Sequence, residues 1–137
     1  MRFVDTNVLL YAVSAAPDEA AKARKARELL DARDPGLSTQ VLQEFYVQAT
    51  HSKRRDRLSH DQAAALVEAF ARFPVQETTL PLVRAALKTS HRFKLSYWDA
   101  AIVEAARLLG CGTVLSEDLS HGARYASVRV ENPFILG

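Results

Sequence analysis

The feature that most constrains this chain is a rhythm of short apolar runs, each of strand length, separated by stretches of helical periodicity. The clearest instance lies after Ser96. Trp98, Ala101, Ile102, Ala105, Leu108 and Leu109 recur at the i, i+3, i+4, i+7 spacing of one helix face, and Thr113 to Ser116 then reads as a buried strand. The same alternation starts with a strand at Arg2 to Asp5 and a helix through Val8, Leu9 and Leu10. A second helix is expected from Asp18 to about Ala32, closed by a turn at Asp34-Pro35-Gly36. Leu37 to Thr39 reads as a strand, and Val41, Leu42, Phe45, Tyr46 and Ala49 mark the next helix. Ser59-His60-Asp61-Gln62 has a capping-box pattern and opens a helix with Ala63, Leu66, Val67 and Phe70 on one face. A strand at Val75 to Glu77, a helix from Thr79 to about Ser90 and a last strand at Val128 to Glu131 complete the reading. Short strands joined through helices imply a parallel sheet covered on both faces. The expected fold is therefore α/β: a three-layer α/β/α sandwich around a short-stranded parallel sheet.

The 137 residues suit one domain over 1–137, with no repeat or linker to divide it. An apolar fraction of 48% with 25% charged residues excludes a disordered chain. No apolar run reaches the roughly 20 residues of a membrane span, and Asp5 interrupts the apolar start, so no export signal is expected. Cys111 is the single cysteine, which excludes an internal disulfide and a thiolate zinc site and points to a reducing, cytoplasmic setting. The net charge of +2 tolerates a polyanionic partner without demanding one. The run Lys53, Arg54, Arg55 and Arg57 is a candidate RNA-contacting loop, or simply a solvated surface.

Chemistry is suggested by four acids. In open parallel sheets, ligands bind beyond the carboxyl ends of the strands. Asp5 ends the first strand, and Asp118 follows the strand at Thr113 to Ser116. Glu44 and Asp99 lie near the starts of otherwise apolar helices. Each acid alone has a structural reading: Asp5 as a helix cap, Asp99 as the partner of Ser96 in a capping box, Glu44 at a helix edge, Asp118 in a turn. Gathered at one sheet edge, however, two carboxylates about 4 Å apart repel by roughly 4 kcal/mol at an effective dielectric near 20. Such a cluster takes up protons or holds a cation. Oxygen ligands without His or Cys favour Mg²⁺ or Mn²⁺. Neither a Ser-His-Asp set nor metal-ligand spacing among His51, His60, His91 and His121 is apparent.

Phe3-Val4-Asp5-Thr6-Asn7-Val8-Leu9, Gln43-Glu44-Phe45, Tyr97-Trp98-Asp99-Ala100 and Leu115-Ser116-Glu117-Asp118-Leu119 resemble the ordered acidic motifs of PIN-domain ribonucleases, and the layout looks most like VapC-type toxins. The resemblance implies a PIN fold and Mg²⁺- or Mn²⁺-dependent endonuclease cleavage of RNA. It assigns Asp5, Glu44 and Asp99 to the catalytic metal site, with Asp118 as the fourth acid and Glu117 as its alternate. Strand alternation is expected to turn Glu117 and Asp118 to opposite sides. Asn7 matches the polar residue that supports the first aspartate, and Ser116 the hydroxyl residue before the last acid. The implied partners are an RNA substrate, a cognate VapB-type antitoxin and a second copy of the chain in a homodimer. Leu29, Leu30, Phe45 and Tyr46 could serve such a surface, although core packing is the commoner use of such residues. Three other readings stand beside this one: an RNA-binding PIN domain without catalysis, a DNA-directed nuclease of the same fold, and a haloacid-dehalogenase-like phosphatase. The last expects a second Asp two residues after the first, where this chain has Asn7.

Overall fold

A computed structural model describes residues 1–135. Six strands, β1 (Arg2–Val4), β2 (Pro35–Ser38), β3 (Val75–Gln76), β4 (Thr113–Leu115), β5 (Arg124–Tyr125) and β6 (Val128–Glu131), form one sheet in the order β3-β2-β1-β4-β6-β5. Pairings from β3 across to β6 are parallel, and the β5–β6 hairpin alone is antiparallel. Between the strands run α1 (Thr6–Ala12), α2 (Ala20–Asp31), α3 (Thr39–Ala49), α4 (His60–Phe70), α5 (Leu80–Phe93) and α6 (Tyr97–Leu109). The expected α/β architecture is present.

Burial explains the layering. Phe3, Val4, Leu37, Val114 and Leu115 are at most 1% exposed, so consecutive residues of the central strands are covered on both faces. In β6 burial alternates instead, with Val128 and Val130 inside and Arg129 and Glu131 outside, as suits a strand near the sheet margin. Leu29 and Phe45 lie in this core, with Leu30 partly buried against it.

Three sequence expectations shift. Pro35 and Gly36 belong to β2, not to a turn: Gly36 registers with Phe3. A side chain at Gly36 would meet Met1 Sδ at 2.9 Å and Leu109 Cδ1 at 3.1 Å, so the glycine permits close packing at that edge. Helix α5 continues past Ser90 to Phe93, where Lys94 adopts a left-handed φ of 56° and closes the helix. The β5 strand was not expected. Its two residues carry no periodicity, and its pairing with β6 comes from the hairpin alone.

The strand order places a switch point between β1 and β4, where the chain's crossovers leave in opposite directions. That is where an open α/β sheet forms a crevice at its carboxyl edge. Both β1 and β4 end there, the first running directly into Asp5 and α1, the second into Ser116, Glu117 and Asp118. Among the described residues, no helix is long and apolar enough to cross a membrane.

Candidate active site

Asp5 both caps α1 and lines the crevice. Its Oδ1 accepts the Thr6 backbone N–H at 2.8 Å, and its Oδ2 accepts the Ser116 hydroxyl at 2.7 Å. Burial, the largest influence, pushes the Asp5 carboxyl up to about 6; hydrogen bonds from Ser116 and Thr6 pull it down, and the nearby Asp118 and Glu44 charges push it further up.

Glu44 reaches the crevice from α3 with both oxygens engaged. Thr6 Oγ1 donates to Oε2 at 2.8 Å and Gln40 Nε2 donates to Oε1 at 2.9 Å. Asp99 sits in the first turn of α6. The Ser96 hydroxyl accepts the Asp99 N–H at 3.1 Å, which is half of a capping box. Among the described residues no return bond from the Asp99 carboxylate completes it, so that carboxylate is left to the crevice. Asp118 accepts from Asn7 Nδ2 at 3.1 Å. Asp5, Asn7, Glu44, Asp99 and Asp118 line one cleft of about 90 Å³, with Thr6, Gln40, Gln48, Trp98 and Ile102 completing its wall.

Glu117 goes elsewhere. Its carboxylate accepts Tyr11 Oη at 2.6 Å and Lys22 Nζ at 2.6 Å, away from the cleft lining. Burial pushes the Glu117 carboxyl up, but the bonds from Lys22 and Tyr11 outweigh it and hold it below its ordinary value. The divergence of Glu117 and Asp118 does not come from strand alternation, because β4 stops at Leu115. It comes from a turn organised by Ser116, whose Oγ accepts the N–H groups of Asp118 at 3.1 Å and Leu119 at 3.2 Å. Asn7 fastens the same turn by accepting the Glu117 N–H at 3.1 Å.

Ser116 is 0% exposed and holds together three site elements. Replacement by alanine leaves two backbone N–H groups and the Asp5 carboxylate short of a partner. The expected loss is about 1–3 kcal/mol of stability, read from denaturant midpoints, together with a further upward shift of the Asp5 carboxyl. A midpoint unchanged within about 0.5 kcal/mol would contradict this account.

The basic run is largely occupied by neighbours. Arg54 Nε lies 3.1 Å from Asp56 Oδ1, Arg55 donates to Asp18 at 2.8 Å and Arg57 donates to the Thr50 carbonyl at 2.9 Å, while Lys53 is exposed. Arg54 alone of the four borders the depression beside the cleft, with Asn7, Gln48 and Asp118. All four histidines are exposed and none lines the cleft.

Sequence reasoning missed Thr6 and Gln40, the groups that orient Glu44. Gln40 was detectable in principle, since it lies four residues before Glu44 on one helix face. Thr6, Tyr11 and Lys22 act through contacts between distant elements, which no local pattern announces.

The donor chemistry suits a hard divalent cation. Carboxylates, hydroxyls and amides line the cleft, and among the described residues no Lys, Arg or His joins them. The buried Asp5 thus faces other negative charge without a basic partner. Among the described residues no three carboxylate, imidazole or thiolate groups approach closely enough to enclose an ion directly. The fit to such a cation is therefore one of donor type, not of a closed coordination shell.

Comparisons with known proteins agree with the fold. The FitAB structure with the IR36 DNA fragment aligns over 100% of this chain and 98% of that one, at TM-score 0.73 and 21% identity. A toxin–antitoxin complex from Klebsiella pneumoniae aligns over 99% and 100%, at TM-score 0.74 and 18% identity. Mycobacterium tuberculosis VapC20, described as a sarcin–ricin loop cleaving toxin, aligns over 86% and 90%, at TM-score 0.67 and 20% identity. No curated protein matches the chain in sequence. The PIN domain profile, in contrast, matches residues 2–125, nearly the whole length, and the chain belongs to the PIN-domain family.

Proposed function

We propose that this protein is the toxin of a toxin–antitoxin pair: a single nuclease domain over residues 1–137 that cuts RNA internally with Mg²⁺ or Mn²⁺. The observation that carries the reading is the convergence of Asp5, Glu44, Asp99 and Asp118 on one cleft at the sheet's switch point. Family membership and the naming of similar structures as toxins or toxin–antitoxin complexes support the same conclusion. A cognate VapB-type antitoxin, a homodimer and a cytoplasmic site of action belong to this reading.

The four acids would hold the ion. A bound Mg²⁺ or Mn²⁺ supplies a more acidic water and neutralises charge on the phosphodiester. The chain's own contribution is order. Thr6 and Ser116 fix the two oxygens of Asp5, Gln40 and Thr6 fix those of Glu44, and Asn7 steadies Asp118. Donors held in place before binding spare the entropy of arranging them during the reaction. Of the basic run, Arg54 is the side chain best situated to meet a neighbouring phosphate.

The test is brief expression of the wild type, Asp5→Asn and Asp99→Asn in a bacterial host, with newly created RNA 5′ ends mapped across all transcripts. New ends at defined sites with the wild type alone are expected. Equal patterns from all three folded proteins would remove the proposal. Matched RNA and DNA oligonucleotides, incubated with Mg²⁺, separate it from a DNA-directed nuclease.

A further inference from the structure

Positive charge forms a row across the sheet. Arg2 of β1 registers with Thr113 of β4, Thr113 with Arg129 of β6, and Arg129 with Arg124 of β5. Residues in register point to the same face of a sheet, and their neighbours identify which face it is. Val128 and Val130, on either side of Arg129, are buried. Tyr125, paired with Val128, meets Phe93 of α5 with ring centroids 5.3 Å apart. The arginines therefore turn away from α5. Theirs is the face on which Lys25 and Leu29 of α2 border a hollow of about 290 Å³ with Arg2, His121 and Glu131.

The Arg124–Arg129 pair works against the fold. Like charges directly opposite one another in an antiparallel ladder repel. Asp34 bonds Arg2 at 2.8 Å and Glu131 adds its charge to the same guanidinium. Among the described residues, neither Arg124 nor Arg129 forms an ion pair, and both are exposed. Charge on a short edge strand discourages pairing with another chain, but an Arg–Glu pair would do the same and attract across the ladder. Two opposed guanidiniums suit an anion that binds both, since each presents a planar fork matched to a phosphate.

The acid cleft supplies the need for such a site. Its lining holds four carboxylates and, among the described residues, no Lys, Arg or His. One divalent cation offsets at most half of that charge, so attraction for the rest of a polyanion has to come from outside the cleft. The Lys53 to Arg57 run supplies little of it, because Asp56, Asp18 and the Thr50 carbonyl occupy its arginines.

We propose that Arg124 and Arg129 form a phosphate-binding exosite, which holds the sugar–phosphate backbone of RNA away from the bond being cut. The inference rests on the ribonuclease reading and adds where the protein draws its affinity. The row crosses the sheet at the level of Thr113, about 7 Å along β4 from Leu115, where the strand ends at the crevice. RNA leaving the cleft has only a short way to run to reach it. Contacts to phosphate fix position and carry no sequence information, so the exosite sets how tightly RNA is held and leaves the place of cutting to the cleft.

The experiment measures the affinity of full-length Asp5→Asn, which keeps the RNA intact, for a long labelled oligoribonucleotide across a range of KCl concentrations. Adding Arg124→Gln/Arg129→Gln is expected to weaken binding about tenfold at low salt. The slope of log affinity against log salt should fall by about 1.4, the value for two lost phosphate contacts. Melting should stay at or above that of the parent, because a repulsion has been removed. Arg84→Gln/Lys88→Gln takes the same charge from exposed positions on α5 and should change the slope little. In the otherwise wild-type protein, Arg124→Gln/Arg129→Gln should raise KM for long RNA and leave kcat unchanged. An unchanged slope, or an equal loss from the α5 pair, overturns the exosite. So does intact RNA binding with loss of poly-glutamate binding, which would give this face to an acidic protein segment. If arginine-dependent RNA binding holds while the wild type cuts nothing with Mg²⁺ or Mn²⁺, the nuclease reading fails and the exosite stands. Cleavage of RNA with the same KM in wild type and Arg124→Gln/Arg129→Gln has the opposite meaning.

Discussion

Asp5→Asn is expected to yield a protein that resists unfolding better than the wild type at pH 7 while cutting RNA at least about 100-fold more slowly. Both effects have one origin. The carboxyl is buried beside Asp118 and Glu44 and is pushed up to about 6 from an ordinary 3.8. A carboxyl raised on folding favours its protonated form in the native state. Its stabilising contribution is therefore complete below about pH 3.8 and is lost as pH climbs through about 6. At pH 7 that loss approaches about 3 kcal/mol. Asparagine removes the charge and keeps a carbonyl for the Thr6 N–H, but it forfeits the Ser116 bond, which offsets about 1 kcal/mol. The net gain of about 2 kcal/mol should raise the melting temperature by several degrees. The gain should disappear as pH falls towards 4 and turn into a loss of about 1 kcal/mol well below it, where the wild-type carboxyl is neutral as well and only the missing Ser116 bond counts. Mg²⁺ should stabilise the wild type more than the variant, since a ligand stabilises in proportion to its affinity for the native state. A variant that melts no higher at pH 7, or that still cuts, would refute the assignment of Asp5.

How much of this was legible in the sequence depended on whether the signal was local. The alternation of strands and helices was, because each element buries a face and must repeat at 2 or 3.6 residues. Phe3-Val4 and Val114-Leu115 are continuous apolar pairs because helices cover both sides of the sheet. The positions of Asp5 and of Ser116 to Asp118 directly after strands were legible for the same reason. Pro35-Gly36 misled because the dipeptide usually marks a turn, while here the proline opens a strand and the glycine lets Met1 and Leu109 approach. What local patterns could not disclose was partnership. Lys22 lies 95 positions from Glu117 and Thr6 lies 38 from Glu44, yet these contacts decide which acids face the cleft and how they are held. Trp98 shows the opposite case. Its place in a helical apolar stripe predicts burial, yet it is 66% exposed, because the stripe begins one turn later at Ala101 and Ile102.

The second large effect belongs to the core that carries the site. Phe45→Ala is expected to cost about 3–5 kcal/mol, a large share of the 5–15 kcal/mol typical of a domain. Phe45 is 0% exposed and meets Phe70 edge to face, with centroids 5.2 Å apart and planes at 86°. Truncation leaves a cavity between α3 and α4 that their backbones cannot close without moving α3. The denaturant midpoint should fall sharply with the slope unchanged. Val47→Ala, on the same helix but with Val47 60% exposed, should shift it by less than about 0.5 kcal/mol. The adjacent Glu44 provides the comparison that separates structure from chemistry. Glu44→Gln keeps a side chain of the same shape, so its melting should stay near that of the wild type while cleavage is lost. Phe45→Ala should lose cleavage only as the folded fraction falls, because the truncated ring touches no reacting group. Were Phe45→Ala as stable as the wild type, α3 would not be anchored through this ring, and the fixed position of Glu44 would need another cause.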